Sequence, residues 1–145
     1  MTTDIKKYMW ETQKHLRQNI EVKRLRVQTL EDRARRVTTV MSDMPKAESR
    51  DPHKVYDQLM QAKMEYLLAI EKQSDFQDWL MELVEDAGLT DEEKGIIEIR
   101  YIDGLEWEKA EEKFDKHFHG SHSTVHRRHR EALRKLREKE KELND

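Results

Sequence analysis

The chain has 145 residues, a net charge of −3, 41% charged side chains, four glycines, two prolines and no cysteine. Without cysteine there is no disulfide framework and no thiolate chemistry, and the abundance of Glu, Lys, Arg, Leu and Met favours long helices over a large β-rich core. No run approaches the roughly 18 apolar residues that span a bilayer, and no apolar run behind the N-terminus resembles a secretory signal, so a cytoplasmic protein of one or two small domains, with no membrane partner, is expected.

Residues 4–44 contain no Gly or Pro. Apolar side chains recur at Met9, Leu16, Ile20, Val27, Leu30, Ala34, Val37, Met41 and Met44, with Gln13 and Lys23 as polar interruptions. Spacing that alternates between three and four predicts a helix laying a narrow heptad stripe on another helix. Pro45 and Pro52 bracket a polar break, "PKAESRDP", which a continuous helix would not tolerate.

A second stripe follows at Val55, Leu59, Ala62, Tyr66, Ala69, Gln73, Phe76, Leu80, Leu83 and Ala87, and Gly88 ends it. Two helices of about 35 to 40 residues joined by a short loop predict an antiparallel, coiled-coil-like hairpin. Tyr56, Met60, Leu67, Ile70 and Trp79 widen the second stripe beyond a two-stranded seam. A further packing partner is therefore expected, with a homodimer through the hairpin as the first choice. Met41, Met44, Met60 and Met64 read as gap-filling packing near the bend. The basic run over residues 14–36 reads as a solvated helix face, and Trp10 has no partner in the stripe.

After Gly88 the texture changes. In "LTDEEKGIIEIRYIDG", Thr90 and Glu93 are spaced as a capping box; Ile96, Ile97, Ile99 and Tyr101 follow, and Gly104 stops the helix. "LEWEKAEEKFDKHF" predicts a helix with Leu105, Trp107, Ala110 and Phe114 inward. Gly120 then reads as a turn and Ser121 as the cap of a last helix anchored by Val125, Leu133 and Leu136. The expected division is residues 1–88, a hairpin for oligomerisation or partner binding, and residues 89–145, a three-helix DNA-binding domain. The expected class is all-α.

Charge is segregated along the chain. Residues 71–115 hold sixteen Asp or Glu against five Lys or Arg, whereas residues 116–141 hold nine Lys or Arg against three Glu. Three helices, the last basic and set behind a tight capped turn, outline a helix-turn-helix unit. Helix N-terminal amides suit phosphate, the first turns of such a helix face base edges in the major groove, and the basic flank neutralises the backbone. The acidic helices are expected on the side away from DNA.

"LTDEEKGIIEIRYIDGLEWEKA…GSHSTVHRRHREALRKLRE" resembles the promoter-reading C-terminal domain of bacterial sigma factors, region four. The matching points are Leu89, Glu93, Ile97, Arg100, Tyr101, Gly104, Ala110, Ser121, Val125 and residues 131–138. With a helical segment in front, the whole chain resembles the ArpU-type regulators encoded by phages of Gram-positive hosts. That resemblance implies a sequence-specific transcriptional regulator, a late-gene activator that binds double-stranded DNA at a promoter with host RNA polymerase in the bacterial cytoplasm. Carried over from the Ser121 cap, the base-reading positions are His122, Ser123, His126 and Arg127. Ser121, Thr124, Arg128, Arg130, Arg134 and Lys135 would contact the DNA backbone or form a solvated flank. Two departures stand out: "FDKHFHG" before the last helix is about one helical turn longer than the sigma pattern, and His and Ser replace the Arg and Glu usual at the first two reading positions.

The same residues admit other functions. His122 and His126 stand one turn apart, a ligand spacing for zinc, but without cysteine or a matching carboxylate motif no metal and no cofactor are expected. The pairs Glu92–Glu93 and Glu111–Glu112 point about 100° apart on a helix and read as solvated faces rather than catalytic carboxylates. Trp107 reads as core. No catalysis is expected. The alternatives are a small terminase-like DNA-packaging subunit, whose DNA-binding part usually lies N-terminal, and a helical adaptor that captures polymerase without binding DNA.

Overall fold

The computed structural model describes residues 4–43 and 52–144, and these are all-α. Helix α1 is Ile5–Asp43, α2 is Pro52–Asp86, α3 is Asp91–Ile97 continued by a π turn Glu98–Ile102, α4 is Trp107–Phe118 and α5 is His122–Asn144. Pro52 opens α2, where a missing N–H costs nothing. The expected break over residues 45–51, with Met44 and the side chain of Met41, lies outside the described residues. Among the described residues no helix is long and apolar enough to cross a membrane.

Packing gathers the chain into two compact units, Leu16–Gln73 and the remainder, which joins the chain up to His15 to Ser74 and beyond. These limits do not follow the division at residue 88 read from the sequence. In the first unit α1 and α2 run antiparallel. Val27 and Leu30 bury against Ala62, flanked by Leu59 and Tyr66, and farther along Ala34 and Val37 bury against Val55. Lys23–Glu65 at 3.6 Å and Lys63–Glu31 at 3.8 Å rim the seam. Met60 and Met64 do not fill gaps; both are exposed, as are Tyr56, Leu67, Leu68 and Ile70.

The second unit is built on α3, α4 and α5, with Ile5, Met9, Leu80, Leu83 and Val84 also buried in it. Gly88 at φ 68° ends α2 and Gly104 at φ 68° ends the π turn, the left-handed geometry that glycine adopts without strain. Thr90 caps α3: its side chain accepts from the Glu93 amide at 3.3 Å, and the Glu93 carboxylate accepts from the Thr90 amide at 3.0 Å. Ile96 and Ile99 meet Ala110, Phe114 and Val125, with Leu105, Trp107 and Phe118 packed around them.

The π turn answers a steric demand. Ile99, Arg100 and Tyr101 are consecutive and all buried, which one face of an α-helix cannot accommodate at about 100° per residue. The Asp103 amide reaches back to the Glu98 carbonyl at 2.9 Å, five residues away, and the widened turn takes all three side chains inward. Arg100 is held between two indole faces, 3.5 Å from the Trp10 centroid and 4.5 Å from that of Trp107. It donates to the Leu105 carbonyl at 2.8 Å. Its Nε is buried with no hydrogen-bond partner among the described residues, so the ring faces stand in for part of its lost hydration. Trp10, without a partner in the heptad stripe, finds one here.

His129 was not foreseen as core. It is 3% exposed, stacks on Tyr101 with centroids 5.7 Å apart, and shares a 2.7 Å hydrogen bond with the Tyr101 hydroxyl through Nε2. Burial first, then the charges of Lys6, Arg100, His126 and Arg137, pushes its imidazole down to about 3, and burial pushes the Tyr101 phenol up to about 12. Both rings are neutral at pH 7. A histidine whose folded pKa lies below its unfolded value of about 6.5 binds more protons when unfolded, so its effect is absent above that pH and destabilises as pH falls toward the folded value. Between pH 7 and 5 the protein should lose about 2 kcal/mol of unfolding free energy from this residue. Urea melts at the two pH values should show this loss in the wild type and its disappearance in His129→Gln; equal losses in both would assign the slope elsewhere.

Candidate nucleic-acid interface

The last two helices are joined by three residues, 119–121. The residue in the left-handed region is His119, at φ 55° and ψ 44°, and its amide closes α4 on the Asp115 carbonyl at 2.8 Å. Gly120, expected to supply the turn conformation, serves another purpose. A Cβ there would stand 2.5 Å from Cε1 of Phe114, so the glycine lets the backbone pass the buried ring. Ser121 caps α5 as expected: its Oγ lies 3.4 Å from the Thr124 amide and 3.1 Å from the Thr124 hydroxyl. The extra length of "FDKHFHG" is mostly helix. Phe114 and Phe118 pack at 5.0 Å within α4, and Phe118 lies where a Cβ on Gly95 would be, 2.4 Å from it.

Helix α5 turns one face inward through Val125, His129, Ala132, Leu133 and Leu136, all buried. At about 100° per residue, Ser123, Arg127, Arg130 and Arg134 fall on the opposite face, and all four are exposed. His122 and His126 lie on one flank, Thr124, Arg128 and Lys135 on the other.

The acidic residues do not simply keep away from this helix; several hold it. Lys135 Nζ is 2.7 Å from Oε1 of Glu93, a carboxylate only 2% exposed. Burial pushes that carboxyl up, but Lys135 and the hydrogen bonds from Thr90 prevail and hold it below the usual range. Arg128 Nε is 2.6 Å from Glu92, Arg137 Nε is 2.9 Å from Asp4, and Arg134 is shared between Glu131 and Glu138 on its own helix. Glu111, read as solvated, receives both flank histidines on Oε1, His122 Nδ1 at 2.6 Å and His126 Nε2 at 2.7 Å. The hydrogen bond from His122 is foremost in holding its carboxyl below the usual range. Trp107 sits under this flank as partly buried packing, 4.6 Å from the His126 ring and 4.7 Å from that of His129.

Among the ten residues expected to face DNA, the structure therefore separates three groups. Arg127 and Arg130 project from the outer face with no ion pair or hydrogen bond among the described residues, and Ser123 lies beside them. Ser121 and Thr124 form the cap, while His122, His126, Arg128, Arg134 and Lys135 each hold a carboxylate. The sequence pattern does not reveal Glu93 and Glu111 as partners of Lys135 and of the flank histidines, nor Arg100 as a buried cation, since each depends on residues brought from another helix. No family model matches the chain, and neither a curated protein nor a solved structure does.

The turn is directly testable. Gly120→Ala should destabilise by about 1–3 kcal/mol through overpacking against Phe114. His119→Gly should stay within about 0.5 kcal/mol of wild type, because relief of left-handed strain is offset by the added freedom of the unfolded chain. Thermal melts of both variants check this; the opposite ranking would mean that the backbone at Gly120 does not have to clear Phe114.

Proposed function

We propose that the protein is a sequence-specific double-stranded-DNA-binding transcriptional regulator in which α4, the turn and α5 act as a helix-turn-helix. The observation that supports this most directly is the outer face of α5. In a chain whose other α5 cations near the turn are tied to carboxylates, Arg127 and Arg130 are exposed without a partner among the described residues, beside Ser123 and behind a capped three-residue turn. A guanidinium left free on the first turns of a helix offers a paired donor fork to guanine or to phosphate. Ser123 and Arg127 read bases, His122 and His126 stand at the groove edge, and Arg130 contacts the phosphate backbone with the Ser121 cap. Arg128, Arg134 and Lys135 contribute charge to the field, and Arg128 and Lys135 hold the helix in place. By its resemblance to phage regulators, the protein would act at a late promoter with host RNA polymerase.

Arg127→Ala should weaken binding to the cognate fragment by about 1–3 kcal/mol and relax one base position. Arg130→Ala should weaken all sequences alike and reduce the salt slope by about one unit. Selection of genomic fragments retained by the purified protein, followed by anisotropy titrations on the selected fragment and a scrambled one, measures both. An even loss across sequences for both variants would remove α5 from the reading role, and a wild type that retains no DNA while binding polymerase would favour an adaptor.

The exposed apolar row on α2 supports a second copy of the chain as partner. Tyr56, Met60, Leu67 and Ile70 are exposed and repeat at heptad spacing on a flank of α2, where the Tyr56 hydroxyl still reaches Thr38 of α1 at 3.0 Å, and at about 25 cal/mol per Å2 their continued exposure forgoes several kcal/mol. A symmetric dimer would cover them and present two recognition helices. Leu67→Asp combined with Ile70→Asp should lower the sedimenting mass without unfolding the chain. A wild type that is monomeric at tens of micromolar would remove the dimer, and a larger ring would favour the packaging-subunit alternative.

A further inference from the structure

Neither the hydrophobic core nor the outer face of α5 uses the flank formed by Glu111, His122 and His126. His122 and His126 are one turn apart, so their rings leave α5 side by side, with centroids 4.5 Å apart. Glu111 comes from the middle of α4 and reaches across to both. One ligand atom from each of the three residues lies within 4.8 Å of the others. The carboxylate that the sequence pattern lacked is thus supplied by a neighbouring helix.

From this geometry we propose that Glu111, His122 and His126 form a site for a divalent transition-metal ion of the zinc class, which ties α4 to the first turns of α5 across the 119–121 turn. Two imidazole nitrogens and one carboxylate oxygen are a borderline donor set, suited to Zn2+, Ni2+ or Cu2+ and unsuited to Mg2+ or Ca2+, which take oxygen cages. Tetrahedral zinc with ligand bonds near 2.0–2.2 Å places its donors about 3.3 Å apart. The hydrogen-bonded pairs now stand at 2.6 and 2.7 Å, so each contact must open by well under 1 Å. The His122 side chain is 74% exposed and the Glu111 side chain 24%. That exposure leaves His122 free to make the adjustment and leaves one coordination position to water.

Chemically the exchange is simple. Each histidine nitrogen that now donates a hydrogen to Oε1 must present a lone pair to the metal instead. Its proton moves to the other ring nitrogen by tautomerisation or leaves to solvent, and the carboxylate turns from acceptor to ligand. Bound metal would place a positive charge on the flank of α5 and stiffen the angle between α4 and α5. Metal binding itself does not rest on the DNA-binding assignment.

The test is titration of the metal-free full-length chain with Zn2+ against a chromophoric chelator, together with thermal melts. The expected result is saturation at one ion per chain and a melting temperature raised by about 5 °C at a hundredfold excess over Kd. His122→Ala, His126→Ala and Glu111→Gln should each lose about tenfold or more in affinity, while His117→Ala binds as the wild type does. Because His122 is exposed, His122→Ala should melt like the wild type without metal, which separates lost ligation from lost folding. Equal zinc affinity in the wild type and the three variants would overturn the site, as would a wild type that binds no zinc at micromolar concentration.

Discussion

The pairing of Glu93 with Lys135 sets the register that decides which face of α5 is turned outward. Glu93 is nearly inaccessible, completes the α3 capping box through Oε1, and receives Lys135 Nζ on the same oxygen at 2.7 Å. An ionised carboxylate in such a place is tolerated only if its partner is held in position. Sliding α5 by one residue would turn Lys135 away by about 100° and leave the charge unpaired. With this register, Val125, His129, Ala132, Leu133 and Leu136 face inward, and Ser123, Arg127 and Arg130 are left facing out. The buried pair selects one arrangement of α5 more than it adds net stability.

A second constraint is the burial of Arg100. A guanidinium in the interior must exchange water for other partners, and here these are the Leu105 carbonyl and the faces of Trp10 and Trp107. Trp10 belongs to the first turns of α1, so the start of the chain is part of the same compact unit as the C-terminal helices. Ile5 and Met9 are buried in the same unit. The unit is thus assembled from both ends of the sequence.

Charge segregation acquires a mechanical meaning in this structure. The acidic stretch around α3 and α4 meets the basic α5 through Glu92, Glu93 and Glu111. Attraction between the two stretches helps to seat α5 and pairs Arg128 and Lys135. What remains unpaired on the outer face is small and directional, which suits recognition of a groove better than diffuse attraction to any polyanion. On α2, by contrast, Met60, Leu67 and Ile70 stay exposed.

Much of the architecture was legible from local pattern. The three-four spacing of Val55, Leu59, Ala62, Tyr66 and Ala69 marked the inner face of α2. Pro52 marked its start, Gly88 its end, and Thr90 with Glu93 the cap of α3, because periodicity and capping act over one or two turns of chain. The basic character of residues 116–141 was equally plain. What the sequence could not determine depends on groups from separate helices meeting. The π turn arises because Ile99, Arg100 and Tyr101 must all find space inside; His129 is neutral because burial and Tyr101 surround it; and His119 takes the left-handed position because Gly120 must clear Phe114. Which cations on α5 are free was likewise a tertiary matter. Residue type places Arg127, Arg128 and Lys135 in one class, and only the positions of Glu92 and Glu93 on α3 divide them, since an ion pair between helices is decided by a few ångströms in space rather than by spacing along the chain.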